Sequence, residues 1–414
     1  MGALRRRDGR AVSRCAGASG MKRITFAAFR FAPAIGGAEN YLRRLLHEMR
    51  DKVDANVLTL VTDQRTDWLR AMIDGERDAP HRYEVDGREV TAMGRWPPST
   101  RKALWAMAPA YHLPASPAPW RMGTVIAPLL QSRLTAAGLV HNVFMGREAF
   151  SAGLLIATRN AGVPFVFTPL RHQRPLGWSS PAFRRLYRES DAVVALTAGE
   201  AEWIIARGAH RDRVHIIGLG PLNDRDASPA AAREHLGHDG PIVLFLGQLH
   251  AYKGFKVVLD AARLLSNRKD TLFVFAGPDV RDNSRVFARA ANNVRWLGSV
   301  PHELRDSLLS ACTVLCVPSS RESFGSVVVE AWACGKPVVG GPAGATRELI
   351  EDGVDGFVVP QDPKVLAGRL AALLDDPELA RTMGCRGQEK VERRFSWKAI
   401  AAAHEEIYSR LLSA

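Results

Sequence analysis

The sequence predicts an α/β protein made of two doubly wound, parallel-sheet halves of the Rossmann type. Three observations carry that expectation. The chain has 414 residues, too many for one ordinary core and enough for two domains. From Met21 onward, short and almost continuously apolar β-rich runs alternate with longer helical stretches, as parallel strands buried on both faces require. The alternation stops in "GLGPLNDRDASPAAAREHLGHDGP", residues 218–241, and restarts with "IVLFLG", so a Gly-, Pro- and Asp-rich linker separates the halves.

The elements follow in order. Residues 1–20 carry five arginines without an apolar segment, which reads as a disordered basic tail and argues against a secretory signal; Met21 opens the folded part and is a candidate translation start. Strand candidates in the first half are Ile24–Phe29, Asn56–Val61, Leu139–His141, Phe165–Thr168, Ala192–Leu196 and Val214–Ile217. Those of the second half are Ile242–Leu246, Leu272–Ala276, Val294–Leu297, Thr313–Val317, Pro337–Gly340 and Gly356–Val359. An amphipathic helix over about Trp397 to Leu412 closes the chain. The expected division is therefore a tail at 1–20, a first domain at 21–222, a second at 223–394 and a closing segment at 395–414. Two such halves imply a cleft lined by the loops beyond the carboxyl ends of the strands.

Composition narrows the function classes. Hydrophobic residues make up 46% and charged ones 24%, the balance of a soluble globular protein, and no run reaches the roughly 18 apolar residues of a membrane span. Cys15, Cys312, Cys316, Cys334 and Cys385 show no CxxC pairing, against a disulfide framework or zinc site and in favour of a reducing cytoplasm. The net charge of +13 is concentrated: from Val90 to Arg188 twelve Lys and Arg face one acid, Glu148, interleaved with Trp96, Trp105, Trp120 and Trp178. Two readings stand, a surface that meets an anionic membrane leaflet or diphosphate-bearing ligand, and a solvated arginine-rich face.

The chemistry concentrates in "RESFGSVVVEAWACGKPVVGG", residues 321–341. "CTVLCVPSS" reads as a buried strand, "RESFGS" as the loop after it and "VVVEAWACG" as a helix ended by Gly335. The loop then presents the backbone N–H groups of Ser323, Phe324 and Gly325 at a helix start, a seat for phosphate. Glu322 lies before that helix and Glu330 inside it, too unlike in placement for paired glycosidase carboxylates and better suited to two parts of one long ligand. The apolar flanks of Glu330 make an unpartnered charge costly and favour a ligand there; Glu322 alone also serves as a favourable helix-start acid.

This Glu-x7-Glu region resembles that of the retaining family 4, or group 1, glycosyltransferases of the GT-B fold. Order-preserving matches run through the chain: "GGAE" at 36–39, "FTPLRH" at 167–172, "DAVVALTAGE" at 191–200, "LGQLHAYKGF" at 246–255, "GGPAGATRELIEDGVDGFVV" and "FSW" at 395–397.

The resemblance implies catalytic roles for Lys253, Glu322 and His172, and donor contacts from Gly36, Gly37, Gln248, Ser323, Phe324, Gly325 and Glu330. Gly36 and Gly37 let backbone N–H groups approach the donor; a plain turn is the alternative. Lys253 neutralises the leaving diphosphate, and Glu330 accepts hydrogen bonds from ribose hydroxyls. Gln248 stands where the family has a second cation, so Arg321 or an arginine of the first half has to replace it, or leaving-group stabilisation is weaker. The family histidine that contacts the donor sugar matches His172, two residues later than in the commoner T-x-H spacing; His141 is the second candidate, and a surface loop histidine is the plain alternative.

"DRD" at 224–226 reads as a turn in the linker, and no G-x-G-x-x-G follows the first strand, so neither metal nor nicotinamide is expected. The implied activity is retaining hexosyl transfer from a nucleotide-diphosphate sugar, with no cofactor, to a lipid-linked or otherwise anionic acceptor in glycan or cell-envelope synthesis. Nucleic acid is not an expected partner. The expected place is the cytoplasm, with residues 90–188 as a peripheral contact to the inner face of the cytoplasmic membrane. Phosphorylases and epimerases of the same fold are rivals, as is a non-catalytic nucleotide-sugar-binding protein, which the Gln248 replacement permits.

Overall fold

The computed structural model describes residues 21–34, 36–64, 67–134, 136–144, 146–171, 178–280 and 282–413. The chain divides into two compact units: one ends at Ile217 and is rejoined by Ala401–Ala414, and the other is Gly218–Ile400. No helix among the described residues is long and apolar enough to cross a membrane.

The first unit carries eight strands: β1 (Lys22–Arg30), β2 (Val53–Val61), β3 (His81–Val85), β4 (Arg88–Ala92), β5 (Leu139–Val143), β6 (Phe165–Thr168), β7 (Ala192–Ala195) and β8 (Val214–Ile216). They lie in the order β3-β4-β2-β1-β5-β6-β7-β8, so the winding reverses between β1 and β5. Neighbours run parallel except β3 and β4, an antiparallel hairpin. Its turn is Asp86-Gly87 with φ of 49° and 77°, the mirror-image turn whose twist matches that of strands. Asp-Gly between "RYEV" and "REVTA" is the local sequence signal for this hairpin, which is absent from the strand candidates above.

The second unit has six strands, β9 (Ile242–Leu246), β10 (Leu272–Ala276), β11 (Val294–Gly298), β12 (Val314–Val317), β13 (Val338–Gly340) and β14 (Gly356–Val358), in the order β11-β10-β9-β12-β13-β14. All pair in parallel. The interdomain stretch contains one helix, Pro229–Leu236, ended by Gly237 in the left-handed conformation.

The closing helix is Trp397–Ser413. Trp397 donates its indole N–H to the Pro221 carbonyl at 2.8 Å within the second unit. From Ala401 the helix belongs to the first unit, where Tyr408 Oη lies 2.6 Å from His141 Nδ1 and His404 Nε2 lies 3.0 Å from Tyr41 Oη.

The acid-poor stretch is less open than its composition suggests. Trp96 is core, with its indole N–H on the Met72 carbonyl. Trp120 carries the Arg185 guanidinium at 3.9 Å, and Trp178 donates to the Pro169 carbonyl. Within the stretch Trp105, at 49%, and Leu113, at 61%, are the exposed large apolar side chains among the described residues.

Candidate functional site

Two loops of the second unit converge beyond the carboxyl ends of β9 and β12. The first turns through a 3-10 segment, Ala251–Lys253, and enters the helix Phe255–Leu264 at Gly254. Gly254 has φ 78°, and a Cβ there would meet the Pro318 carbonyl oxygen at 2.6 Å, so only glycine lets the loops touch. The second loop follows β12 and is tied to the first: the Ser320 N–H donates to the Tyr252 carbonyl at 2.8 Å, and the Gln361 amide bridges the Tyr252 and Pro318 carbonyls.

That tie brings Lys253 and Glu322 together. Lys253 Nζ donates to Glu322 Oε1 at 2.5 Å, with side chains 23% and 13% exposed. A half-buried pair of this kind keeps a strong field while both partners stay within reach of a ligand. Arg321 is exposed and lies 5.1 Å over the Tyr252 ring, bringing a further cation beside the pair. His250 stacks on the same ring.

The helix beyond Glu322 is Ser326–Ala333. Gly325 caps it at φ 96°, and the nearest atoms to an added Cβ are 3.5 Å away, so the left-handed backbone rather than crowding demands glycine. Phe324 is buried edge-on against Phe395 at 5.7 Å, which anchors the loop and leaves its backbone as the part that faces a ligand. Ser323 is half-buried in the same loop.

Glu330 sits inside this helix, 1% exposed. Its carboxylate pairs with the Arg305 guanidinium and accepts the Leu222 N–H. Burial raises its pKa, and Arg305 opposes the rise. The apolar flanks of Glu330 favour a ligand as its partner; in the structure Arg305, the one Lys or Arg on the helix His302–Ala311, pairs with it, and that pairing has no sequence signal. The carboxylate keeps capacity for further hydrogen bonds, but at 1% exposure a ribose reaches it only if the surrounding packing opens. Arg305 also holds Asp306 at 2.7 Å, and Asp306 accepts the Asp224 N–H. Asp224 in turn accepts the Asp226 N–H, so "DRD" is a side-chain-capped turn.

Gln248 is exposed after Gly247. Its backbone carbonyl accepts the His250 N–H.

In the first unit Gly36 and Gly37 follow β1 and start the helix Gly37–Glu48. A Cβ on Gly36 would meet Glu39 Oε2 at 2.4 Å, whereas nothing lies within 4 Å of one on Gly37. Gly36 therefore makes room for Glu39, which forms a buried pair with Arg30, and Gly37 presents open backbone. His172 lies outside the described residues. His141 has both ring nitrogens engaged, Nδ1 by Tyr408 and Nε2 by the Thr168 hydroxyl at 2.7 Å, and burial holds its pKa well below 6.5. It is core.

Comparison with known proteins places both halves of the chain in described families. The family described as glycosyl transferases group 1 matches residues 229–390, and the glycosyl transferase 4-like domain matches residues 36–220. The D-inositol 3-phosphate glycosyltransferase of Xylanimonas cellulosilytica is 34% identical over 250 residues, 53% of this chain and 57% of that one. The alpha-maltose-1-phosphate synthase of Mycolicibacterium smegmatis is 30% identical over 307 residues, 66% of this chain and 78% of that one. The chain thus spans between half and four-fifths of the length of these relatives. Among solved structures, Anabaena HepE in complex with UDP superposes with a TM-score of 0.68 at 22% identity, covering 94% of this chain and 100% of that one. The sucrose-phosphate synthase of Thermosynechococcus elongatus gives 0.67 at 19% identity, covering 95% and 99%.

Proposed function

The chain belongs to the group 1, GT4-like glycosyltransferases, with the GT-B fold, and we propose that it moves a sugar, with retention of anomeric configuration, from a nucleotide-diphosphate sugar to an anionic or lipid-linked acceptor. The observation that carries this reading is the Lys253–Glu322 pair set before the Gly325-capped helix. A diphosphate seated at that helix start meets backbone N–H groups, the positive end of the helix and Lys253. Lys253 then bridges Glu322 and the leaving phosphate, while the other Glu322 oxygen accepts a hydrogen bond from a sugar hydroxyl.

Charge grows on the phosphate as the glycosidic bond breaks, so cations fixed beside it act mainly in the transition state. Arg321 supplies the second positive charge in place of Gln248. The acceptor hydroxyl attacks from the face the phosphate leaves, and the departing oxygen takes its proton. No metal is assigned a role. Glu330 acts as a positioning residue, holding its helix to Arg305 and Leu222. The acceptor approaches along the basic face that exposes Trp105 and Leu113, in peripheral contact with an anionic membrane.

One experiment tests the core of this. The purified chain is incubated with a panel of nucleoside-diphosphate sugars and an anionic lipid-linked acceptor, and the product is read by NMR. The expected result is one preferred donor and an axial-to-axial or equatorial-to-equatorial transfer. Inversion removes the front-face mechanism, and donor binding without turnover for every acceptor favours the non-catalytic reading. Flotation with anionic vesicles at low salt tests the membrane contact, which absence of binding removes.

A further inference from the structure

Just past the carboxyl ends of β2 and β4 the first unit holds a cavity of about 240 Å³ lined by Asp67, Arg70, Asp74, Glu76, Arg77 and Arg95, with Gly75 between them. Its floor is built of backbone laid on backbone. The Glu76 N–H donates to the Gly94 carbonyl at 3.2 Å, the Arg95 N–H to Asp78 at 2.9 Å and the Trp96 N–H to Asp74 at 3.2 Å. Gly75, at φ 73°, has no room for a Cβ, which would stand 2.4 Å from the Gly94 oxygen. The polar side chains above therefore rest on a fixed base.

Their hydrogen-bonding capacity is unevenly used. Asp74 accepts the Trp105 indole N–H at 3.0 Å and faces Arg70 at 3.5 Å. Glu76, 7% exposed, accepts from the Thr62 N–H at 3.1 Å and from the Thr62 hydroxyl through Oε1. Its other oxygen, Oε2, is buried with no hydrogen-bond partner among the described residues. Arg77 and Arg95 are exposed and have no carboxylate partner among the described residues.

A buried carboxylate oxygen without a donor is costly, and a hydroxyl satisfies it without bringing a further charge. Two guanidiniums without partners call for a phosphate or carboxylate, which they grip through paired N–H groups. Hydroxyl and anion on one small molecule describe an anionic sugar. The indole of Trp105, held by Asp74 and half exposed, offers such a ring an apolar face.

We propose that this cavity is a subsite for an anionic sugar, with its phosphate or carboxylate on Arg77 and Arg95 and a ring hydroxyl donating to Glu76 Oε2. Because β1, β2 and β4 run parallel, the cavity opens at the same end of the sheet as Gly36 and Gly37. That the bound sugar belongs to the acceptor rests on the transferase reading above; that it binds does not.

The test is calorimetric titration of the full chain with glucose 1-phosphate, glucose 6-phosphate and glucuronate, and with glucose and inorganic phosphate as controls. At least one anionic sugar should bind more tightly than either control. The double variant Arg77→Ala/Arg95→Ala should weaken it about tenfold or more, and Arg77→Lys/Arg95→Lys should recover part of the loss. Glu76→Gln should weaken the sugar but leave inorganic phosphate unchanged.

Absence of binding by all three anionic sugars overturns the proposal. So does equal affinity for inorganic phosphate, which means an adventitious anion site only, or unchanged affinity in the double alanine variant. Thermal melts of each variant separate lost binding from lost folding. Titration of the same proteins with the nucleoside-diphosphate sugar panel keeps the two readings apart: no donor binding by the wild type removes the transferase reading and leaves the sugar result standing.

Discussion

Glu322 and Glu330 share one loop-helix segment, yet their surroundings give them different work. Glu322 stands in a loop, 13% exposed, and its partner Lys253 comes from a second loop on a flexible stem. Glu330 is 2% exposed by its side chain and is held by a planar guanidinium and a backbone N–H. The first pair can exchange partners with a ligand at lower cost because both ends keep some contact with solvent. The second cannot, since breaking it leaves a charge in the core. A carboxylate's place in a motif therefore says less about its role than the mobility and hydration of its partner.

The largest effect that sharpens this contrast falls on activity. Lys253→Ala should lower kcat/KM for the preferred donor by about 10²–10³, the usual loss for one donor aimed at developing negative charge. Its melting temperature should barely move, because the pair is partly solvated. A drop in stability as large as that of a Glu330 variant would erase the distinction between the two pairs.

The complementary change is Glu330→Ala, which should cost about 3 kcal/mol of stability. That is the lower end of the range for orphaning a buried partner, because Arg305 keeps Asp306 at 2.7 Å. Chemical denaturation measures it. Glu330→Gln keeps an acceptor for Arg305 and should recover part of the loss. If Glu330→Gln is stable but raises the donor KM more than Lys253→Ala does, Glu330 meets the ribose directly and the positioning role fails.

What was legible in the sequence follows the same divide between local and distant causes. The apolar runs of β9, β10 and β12 need only their own residues to be read, and Gly325 is legible as a loop glycine at a helix start because positive φ is a local demand. Asp86-Gly87 is equally local as a hairpin signal, whereas the helix Pro229–Leu236 is hidden inside a stretch rich in turn residues. Arg305 was invisible, since the pairing of residues 25 apart depends on how two helices pack. Trp96 lies in a basic, aromatic stretch of the sequence, yet it is part of the core cluster, with its indole N–H on the Met72 carbonyl. The cavity above residues 74–77 draws on Arg95 across a bridge that no spacing rule encodes.

The smallest effect concerns a third buried titratable group and turns the comparison from two pairs to the two units. His141 is fully buried in the first unit among Phe26, Thr168, Tyr408 and His404, and its pKa lies well below 6.5 through burial and the neighbouring His404 ring. The unfolded chain binds the proton near pH 6.5 while the folded chain refuses it. The stability that neutral His141 contributes is therefore present above that pH and lost as pH falls below it toward the depressed folded value, at a slope of about 1.4 kcal/mol per pH unit for one proton. Glu330 in the second unit has the opposite sign. Its folded pKa is raised above 4.5, so its contribution is full below 4.5 and declines as pH rises through the folded value. Denaturation midpoints from pH 5 to 8 should fall on the acid side, and His141→Gln should flatten that side, whereas Glu330→Gln, which removes a term of opposite sign, should not flatten it. An acid slope that survives His141→Gln would move its origin to other groups and remove the opposition between the units.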